Sequence, residues 1–304
     1  MASIDVLIPA HNAEKTIARA LASVKSQTVS AGNVWVIADN CDDATATIAH
    51  RHGASVVPLE AKSVAVARNV GVRISSATHV AFLDADDEWE PSWISSALSA
   101  IRQTPDALLY FGGVEERDER NRVVRLSQPQ SASQTSPRDL ALHNFVSTSA
   151  CIVHRKSAQD AGAFDEELCN ASDWDLWLRM CEMGPLIQVP GHHAIYHRNK
   201  DSLSRAPGQM LRARDDALRV LYKAHRRGAL SGETLRLART NVLSLSAMRL
   251  LRQGRVREAR IDLHAALAST PTATTPWLLA IWSGLPADIR VAAADARQRF
   301  RRFR

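Results

Sequence analysis

Short apolar runs alternate with helix-period stretches over residues 4–110. Ile4 to Ile8 reads as a strand ended by Pro9, and Ile17, Ala20, Leu21 and Val24 follow at helical spacing. Val34 to Ala38 predicts a second strand, Thr45 to His52 a short helix, and Ala54 to Pro58 a third strand. Val66, Val70 and Ile74 recur every four residues within a helix over 63–75, and Val80 to Leu83 makes a fourth strand. The order βαβαβαβ predicts a Rossmann-like α/β fold, a mostly parallel sheet with helices on both faces. Such sheets take ligands beyond the carboxyl ends of their strands. The Pro9-Ala10-His11-Asn12 turn, Asp39 and Asp84 all fall there.

Residues 113–138 are polar and predict a hairpin followed by an exposed loop. Apolar content returns at Leu140 and at Ala150 to Val153, and Asp173 to Met183 reads as a helix. From about Gln209 the pattern is helical throughout. Val242, Leu245, Met248 and Leu251 recur every three residues; Val256, Ala259, Leu263 and Leu267 form one face of a unit that opens at Gly254 and stops at Pro271. That unit is similar to half of a tetratricopeptide-type pair, but a single copy points to a helical appendage rather than a repeat. The expected division is residues 1–207 as the α/β domain and 208–304 as a basic helical segment.

Charge sharpens this division. Residues 1–207 carry 19 Lys and Arg against 25 Asp and Glu, whereas residues 208–304 carry 19 against 7. The basic pI of about 9.4 therefore belongs to the C-terminal segment. Such a segment suits a peripheral contact with anionic lipid, or is an arginine-rich solvated face. No nucleic-acid-binding motif accompanies it, so no nucleic acid is expected as a partner. The longest apolar candidate, Trp277 to Trp282, falls far short of the roughly 18 residues of a membrane-spanning helix. The N-terminus lacks the basic-then-apolar layout of a signal peptide. Cys41, Cys151, Cys169 and Cys181 match no zinc or redox spacing. A cytoplasmic protein is expected, with a possible peripheral position on the inner face of the membrane.

The chemistry concentrates at Asp84-Ala85-Asp86-Asp87, directly after the fourth strand. Hard divalent cations take oxygen ligands, and Mg²⁺ commonly combines one or two carboxylates with substrate phosphates. The cluster thus reads as a metal site that receives a diphosphate; the alternative is a solvated acidic turn.

Read together, several segments resemble the family-2 glycosyltransferases. Ile4 to Asn12 resembles their opening strand and turn, Ser26-Gln27-Thr28 the end of their first helix, and Ala67-Arg68-Asn69-Val70-Gly71 their third helix. Phe82 to Asp87, with Trp89 and Pro91, resembles their DxD segment. Gly162-Ala163-Phe164-Asp165 followed by Asp173 to Arg179 is similar to their acceptor-side base motif, and Ser202-Leu203-Ser204 to the end of their catalytic domain. The resemblance implies a GT-A fold and inverting sugar transfer from a nucleotide-diphosphate sugar, a UDP-sugar favoured, in surface glycan or polysaccharide assembly. The acceptor would be a glycan, a lipid-linked molecule or a small molecule.

By the same resemblance, Pro9, Ala10, Asn12, Asp39, Arg68, Asp84 and Asp86 would bind the donor, and Asp86 and Asp84 would hold Mn²⁺ or Mg²⁺. Asp173 would be the base, ahead of Asp175, and Trp174 would bound the acceptor. His197 or Asn199 would stand near a closing metal contact. Ser172 replaces an acidic residue that often precedes the base, and Ala38 and Cys41 depart from the usual pattern around Asp39. Two other readings compete. A nucleotidyltransferase normally carries a glycine-rich basic loop after its first strand, and Ala10 to Glu14 has no glycine. A catalytically silent nucleotide-sugar scaffold is disfavoured because Asp84, Asp86 and Asp173 are all present.

Overall fold

The computed structural model describes residues 2–127, 135–198 and 207–284. Strands β1 (Ile4–Ala10), β2 (Val34–Asp39), β3 (Ser55–Leu59) and β4 (His79–Phe82) are connected by helices α1 (Ile17–Lys25), α2 (Thr45–Arg51) and α3 (Val64–Ile74). The chain continues through β5 (Glu88–Trp89), α4 (Trp93–Gln103), the β6–β7 hairpin (Leu109–Arg117 and Val123–Ser127) and α5 (Pro137–Leu142). A 3-10 turn (Thr148–Ala150) leads to β8 (Cys151–His154), α6 (Arg155–Asp160), α7 (Ser172–Met183) and β9 (Leu186–His197). Four helices end it: α8 (Pro207–Arg226), α9 (Gly232–Arg252), α10 (Val256–Ser269) and α11 (Thr274–Gly284).

The sheet runs β3-β2-β1-β4-β8-β6-β9-β5, with β7 paired to β6. The first four strands are parallel to one another, as their helical crossovers require. Beyond β4 the sheet is mixed, because β8 is antiparallel to both β4 and β6, while β6 and β9 are parallel. The switch matters for function. An antiparallel strand beside β4 begins where β4 ends, so the residues leading into β8 arrive at the carboxyl edge of the parallel half.

Alternating side chains cover both faces. Ile4, Val6, Ile8, Ala81, Tyr110 and Ile152 pack under α1, α2 and α4. Leu7, Val80, Phe82, Phe111, Cys151 and Val153 pack under α3, α5, α6 and α7, with α8 and the start of α9 joining the same cluster. A separate small core ties α9 to α10. Among the described residues no helix is long and apolar enough to cross a membrane.

Three expectations shift. Pro9 does not end β1, which continues to Ala10. Leu83 N–H donates to Leu7 O at 3.1 Å, so Leu7, and by strand alternation Pro9, face the β4 side. The β1–β4 ladder stops at Leu7–Phe82, so Pro9 has no ladder donor to lose. In α3 the Val66, Val70 and Ile74 stripe is the less buried side. Ala65, Ala67, Arg68, Asn69, Gly71 and Val72 face inward, and Ile74 is exposed. Gly71 lets α3 lie close to β1, since a Cβ there would stand 2.9 Å from Leu7 Cδ1. In α9 the three-residue recurrence drifts around the 3.6-residue helix, which leaves Leu245 exposed while Leu243, Ala247 and Leu250 are buried.

Asp5, at the start of β1, is buried and accepts from Asn33 N–H (2.8 Å), Ser75 Oγ (2.7 Å) and Trp35 Nε1 (3.4 Å). It is a structural carboxylate that fixes the β1–β2 and α3–β4 connections. Asp5→Ala orphans these donors and is expected to cost about 3 kcal/mol. Urea unfolding measures this; a loss below about 1 kcal/mol contradicts the assigned role.

Candidate active site

Three segments meet beyond the carboxyl ends of β1, β2 and β4: the His11-Asn12 turn, the residues after Asp39, and Asp84 to Asp87. Asp39 is buried at the end of β2. Its Oδ1 accepts from Ala61 and Lys62 N–H at 2.7 and 2.9 Å, and its Oδ2 from Ser63 N–H at 2.8 Å. Lys62 takes a left-handed φ of 54° to make this possible. Oδ1 is filled, while Oδ2 retains acceptor capacity for one more N–H. His11 Nδ1 lies 2.8 Å from Asp39 O, and Asn12 Oδ1 accepts from Asp42 N–H at 3.0 Å. Both side chains serve the turn, whose residues His11 and Asn12 are exposed, whereas Pro9 and Ala10 are buried beneath it.

Arg68 reaches across from α3. It is buried, donates to Asp84 Oδ1 at 2.7 Å, and lies over the Phe164 ring at 5.6 Å. Burial alone would lower its pKa, but the Asp84 and Asp173 carboxylates outweigh that and raise it. Arg68 therefore sits electrostatically between a carboxylate on the β4 edge and one on α7.

Asp173 lies in the first turn of α7, after Ala171, which takes a φ of 71°. It is half-buried. Its Oδ1 accepts from Trp174 N–H at 2.8 Å and its Oδ2 from Thr148 Oγ1 at 3.1 Å. Burial raises its pKa and Asp84 adds to the rise; Arg68 and the two hydrogen bonds oppose it. Asp175 is different. It is fully buried and paired with Arg179 at 2.7 Å and Lys223 at 3.3 Å. Its role in the structure is to pair these two cations.

Trp174 does not stand where expected. Its indole is buried in the core and donates to Leu140 O at 2.8 Å. At position three of the helix its side chain turns from the cleft toward α5, so it offers no wall to an acceptor. Trp89, Trp93 and Trp177 are also core residues.

Asp86 and Asp87 follow Asp84 in a tight turn closed by Asp87 N–H on Asp84 O at 3.0 Å. Ser149 organises it, accepting from Asp84 N–H at 3.2 Å and donating to Asp87 Oδ2 at 2.6 Å. Asp87 is buried and its Oδ1 has no hydrogen-bond partner. Burial and then Asp84 and Asp86 push its pKa well up, against the Ser149 hydroxyl and the His197 backbone. Asp86 is raised by burial and by Asp84, while Arg19 and His197 pull it back. Arg19 donates to Asp86 O at 2.7 Å and pairs with Glu88 at 3.1 Å; His197 Nε2 also bonds Glu88. Asn199 lies outside the described residues, as does the Ser202-Leu203-Ser204 segment.

Ser149, Thr148 and Arg19 carried no motif in the sequence. They reach the site because the sheet order places the start of β8 and one face of α1 beside the β4 edge. Gln27, inside a recognised motif, instead ties α1 to the segment before α4 through Glu90 O and Ile94 N–H.

Asp84, Asp86 and Asp87 together fit a divalent cation. An all-oxygen donor set, a buried carboxylate oxygen without a partner and two raised carboxyl pKa values are what a positive ion would relieve. Among the described residues no three His, Cys, Asp or Glu are gathered closely enough to hold a metal ion.

Residues 5–162 match the family model described as Glycosyl transferase family 2. The chain belongs to this family. It is a glycosyltransferase, and the matched residues run from β1 past α6, including Asp39, Arg68 and Asp84 to Asp87. Chondroitin synthase of Escherichia coli is 24% identical over 211 residues, which cover 66% of this chain and 30% of that protein. The amylovoran biosynthesis glycosyltransferase AmsB of Erwinia amylovora is 25% identical over 210 residues, covering 64% of this chain and 69% of that one. In structure the chain is similar to S. aureus TarS 1–349 in complex with UDP-GlcNAc, with a TM-score of 0.66 and 16% identity over 88% of this chain and 82% of that one. The mannosyltransferase PcManGT of Pyrobaculum calidifontis, in complex with GDP-Man and Mn²⁺, gives 0.58 at 18% identity over 91% and 78%. At these identities the likeness concerns the fold, which is GT-A.

The raised carboxyls set a pH dependence. A carboxyl whose folded pKa exceeds its unfolded value, near 3.9, costs stability as pH rises through that window and it becomes charged. Below the unfolded value both states are protonated and the cost vanishes. In chelator, Asp87→Asn is therefore expected to raise the melting temperature at pH 7 and to have little effect at pH 4. Thermal melts at both pH values test this; an equal effect at both contradicts it.

Proposed function

We propose that the chain transfers a sugar, with inversion, from a nucleoside diphosphate sugar to an acceptor hydroxyl during assembly of a surface glycan. The reading rests on one observation. Asp84 and Asp173 lie on either side of buried Arg68 in different environments, one at the carboxyl edge of the parallel strands and one on α7. That separation gives the donor and the acceptor a carboxylate each. Polysaccharide-forming relatives and nucleotide-sugar complexes of similar folds support the setting.

On this reading Pro9, Ala10 and Asn12 supply the turn against which the base lies. Asp39 Oδ2 accepts a base N–H such as N3–H of uracil, which favours a UDP-sugar. Asp86 and Asp84 hold Mn²⁺ or Mg²⁺, with Asp87 and His197 at the same end. A bound divalent cation offsets the charge that develops on the departing diphosphate. Arg68 orients Asp84 by its hydrogen bond to Oδ1.

Asp173 takes the proton of the attacking acceptor hydroxyl. Its raised pKa brings it closer to the working pH, where a general base is most effective. Thr148 occupies one acceptor direction of Oδ2 and leaves another for the incoming hydroxyl. Attack from the α7 side, opposite the diphosphate, inverts the anomeric centre. The acceptor is a glycan, a lipid-linked molecule or a small molecule.

A peripheral contact with anionic lipid is part of the same proposal. Helix α11 exposes Trp277, Leu278 and Ile281, and the segment 208–304 that contains it is strongly basic.

Calorimetry with UDP, GDP and TDP, each with Mn²⁺ and with chelator, is expected to give metal-dependent binding that Asp86→Ala weakens. Equal affinity with and without metal contradicts the metal role. Asp173→Asn is expected to lower turnover about 10²-fold with donor affinity nearly intact. Turnover within a few-fold of wild type removes Asp173 as the base. Co-sedimentation with phosphatidylglycerol vesicles at low salt, lost on Trp277→Ser, tests the lipid contact.

A further inference from the structure

We propose that helix α8 is a positioning element for catalysis, with Lys223 and Asp216 holding the connection between α6 and α7 and, through it, Asp173. The inference rests on Asp173 acting at the acceptor side.

Residues 161–171 carry three left-handed conformations: Gly162 at 92°, Ala163 at 54° and Ala171 at 71°. Alanine rarely adopts such angles and keeps them only where its surroundings over-determine them. From α7, Arg179 donates to Ala161 O and, at 2.7 Å, to Ala163 O. From α3, Asn69 receives Phe164 N–H and donates to Phe164 O, both at 2.9 Å. Asn69 also donates to Glu166 Oε1 at 2.9 Å. Further ties come from α8. Lys223 Nζ bonds Asp165 and lies 3.3 Å from Asp175. Asp216 Oδ2 accepts from Asn170 N–H at 2.9 Å and from its side-chain amide at 3.2 Å. Thus α8 grips the connection near its middle and near its C-terminal end, and the second grip lies immediately before Ala171 and the turn that carries Asp173.

Lys223 is not needed to pack α8, because Val220, Leu221 and Ala224 are already fully buried against the main core. Its side chain is 40% exposed and lines an open cavity of about 640 Å³ together with Asp165, Asp175 and Arg179. Its ammonium acts through its two carboxylates. It joins Asp165 on the connection to Asp175 on α7 and so fixes the connection relative to the helix bearing Asp173. A displacement near 1 Å at a reacting group can cost about 10²-fold in rate, so a modest loosening has a measurable effect.

The test compares Lys223→Met with Lys223→Arg and with Arg227→Met, which removes an ion pair to Glu182 made from the turn just after α8. Amide hydrogen exchange is followed over residues 164–174, and kcat and donor KM are measured with the substrate selected from UDP-N-acetylglucosamine, UDP-glucose and GDP-mannose. Lys223→Met is expected to speed exchange over 164–174, leave β1 and β4 amides unchanged, and lower kcat about ten-fold at a donor KM within about two-fold. Lys223→Arg is expected to restore both, and Arg227→Met to change neither. If Lys223→Met does not fold, Asp216→Ala is read by the same measures. Unchanged exchange overturns the proposal, as does faster exchange with unchanged kcat, or failure of Lys223→Arg to rescue. Asp173→Asn, run alongside, separates the two readings: near-normal turnover there overturns the base, whereas the exchange result judges the α8 grip independently.

Discussion

The site depends on a buried arginine. A guanidinium taken out of water is tolerated only when carboxylates compensate it, and removing such a partner is costly. Arg68 finds Asp84 by direct contact and Asp173 through its field. The two carboxylates lie far apart in the chain and on different elements. Only the stacking of β1, β4 and β8 beneath α3, with α7 alongside, brings them to one cation. Small residues on α3 permit this, since Gly71 lets the helix settle against Leu7 while Arg68 and Asn69 face inward. The arginine is thus a folding constraint that links the β4 edge to α7.

The change of strand direction at β4–β8 supplies the rest. Continued parallel winding would put another strand end and helix start beside Asp84. The antiparallel β8 instead delivers Thr148 and Ser149, two small hydroxyl residues. Ser149 orders the Asp84–Asp87 turn from below, and Thr148 orients Asp173. Neither hydroxyl adds charge, so the acidic turn keeps the unbalanced negative potential that a cation would answer. Arg19 and His197 offset it only in part, consistent with the raised carboxyls of Asp86 and Asp87.

Much of this was legible in the sequence. The short apolar runs marked β1 to β4, and the carboxyl-edge rule put Asp39 and Asp84 at the strand ends. The acidic cluster after a buried strand stood out by the cost of leaving it unpaired, with a solvated turn as the alternative. The misplacements have specific causes. Val66, Val70 and Ile74 suggested the buried face of α3, but a site-forming helix buries its polar residues. Trp174 was adjacent to Asp173 in sequence, yet successive residues on a helix point about 100° apart, and its indole went to the core. Ser149 and Thr148 left no signal, because hydroxyls are ubiquitous and only the pairing of β8 with β4 gives these two a role.

The charge asymmetry of the chain has a partial internal answer. An acidic first part and a basic last part would be expected to attract each other. Lys223 pairs with Asp165 and Asp175, and Arg227 with Glu182, so cations of α8 and of the turn after it meet carboxylates of the segments around α7. Exposed pairs of this kind contribute little stability, with a median of about 0–1 kcal/mol. The Arg227 pair belongs to that class. Asp175 does not, because it is wholly buried and its charge requires both Arg179 and Lys223. The basic segment is therefore not merely attached beside the catalytic fold. At one point it supplies a charge partner to a buried carboxylate, Asp175, two residues from Asp173, and there a property of composition becomes a constraint on the fold.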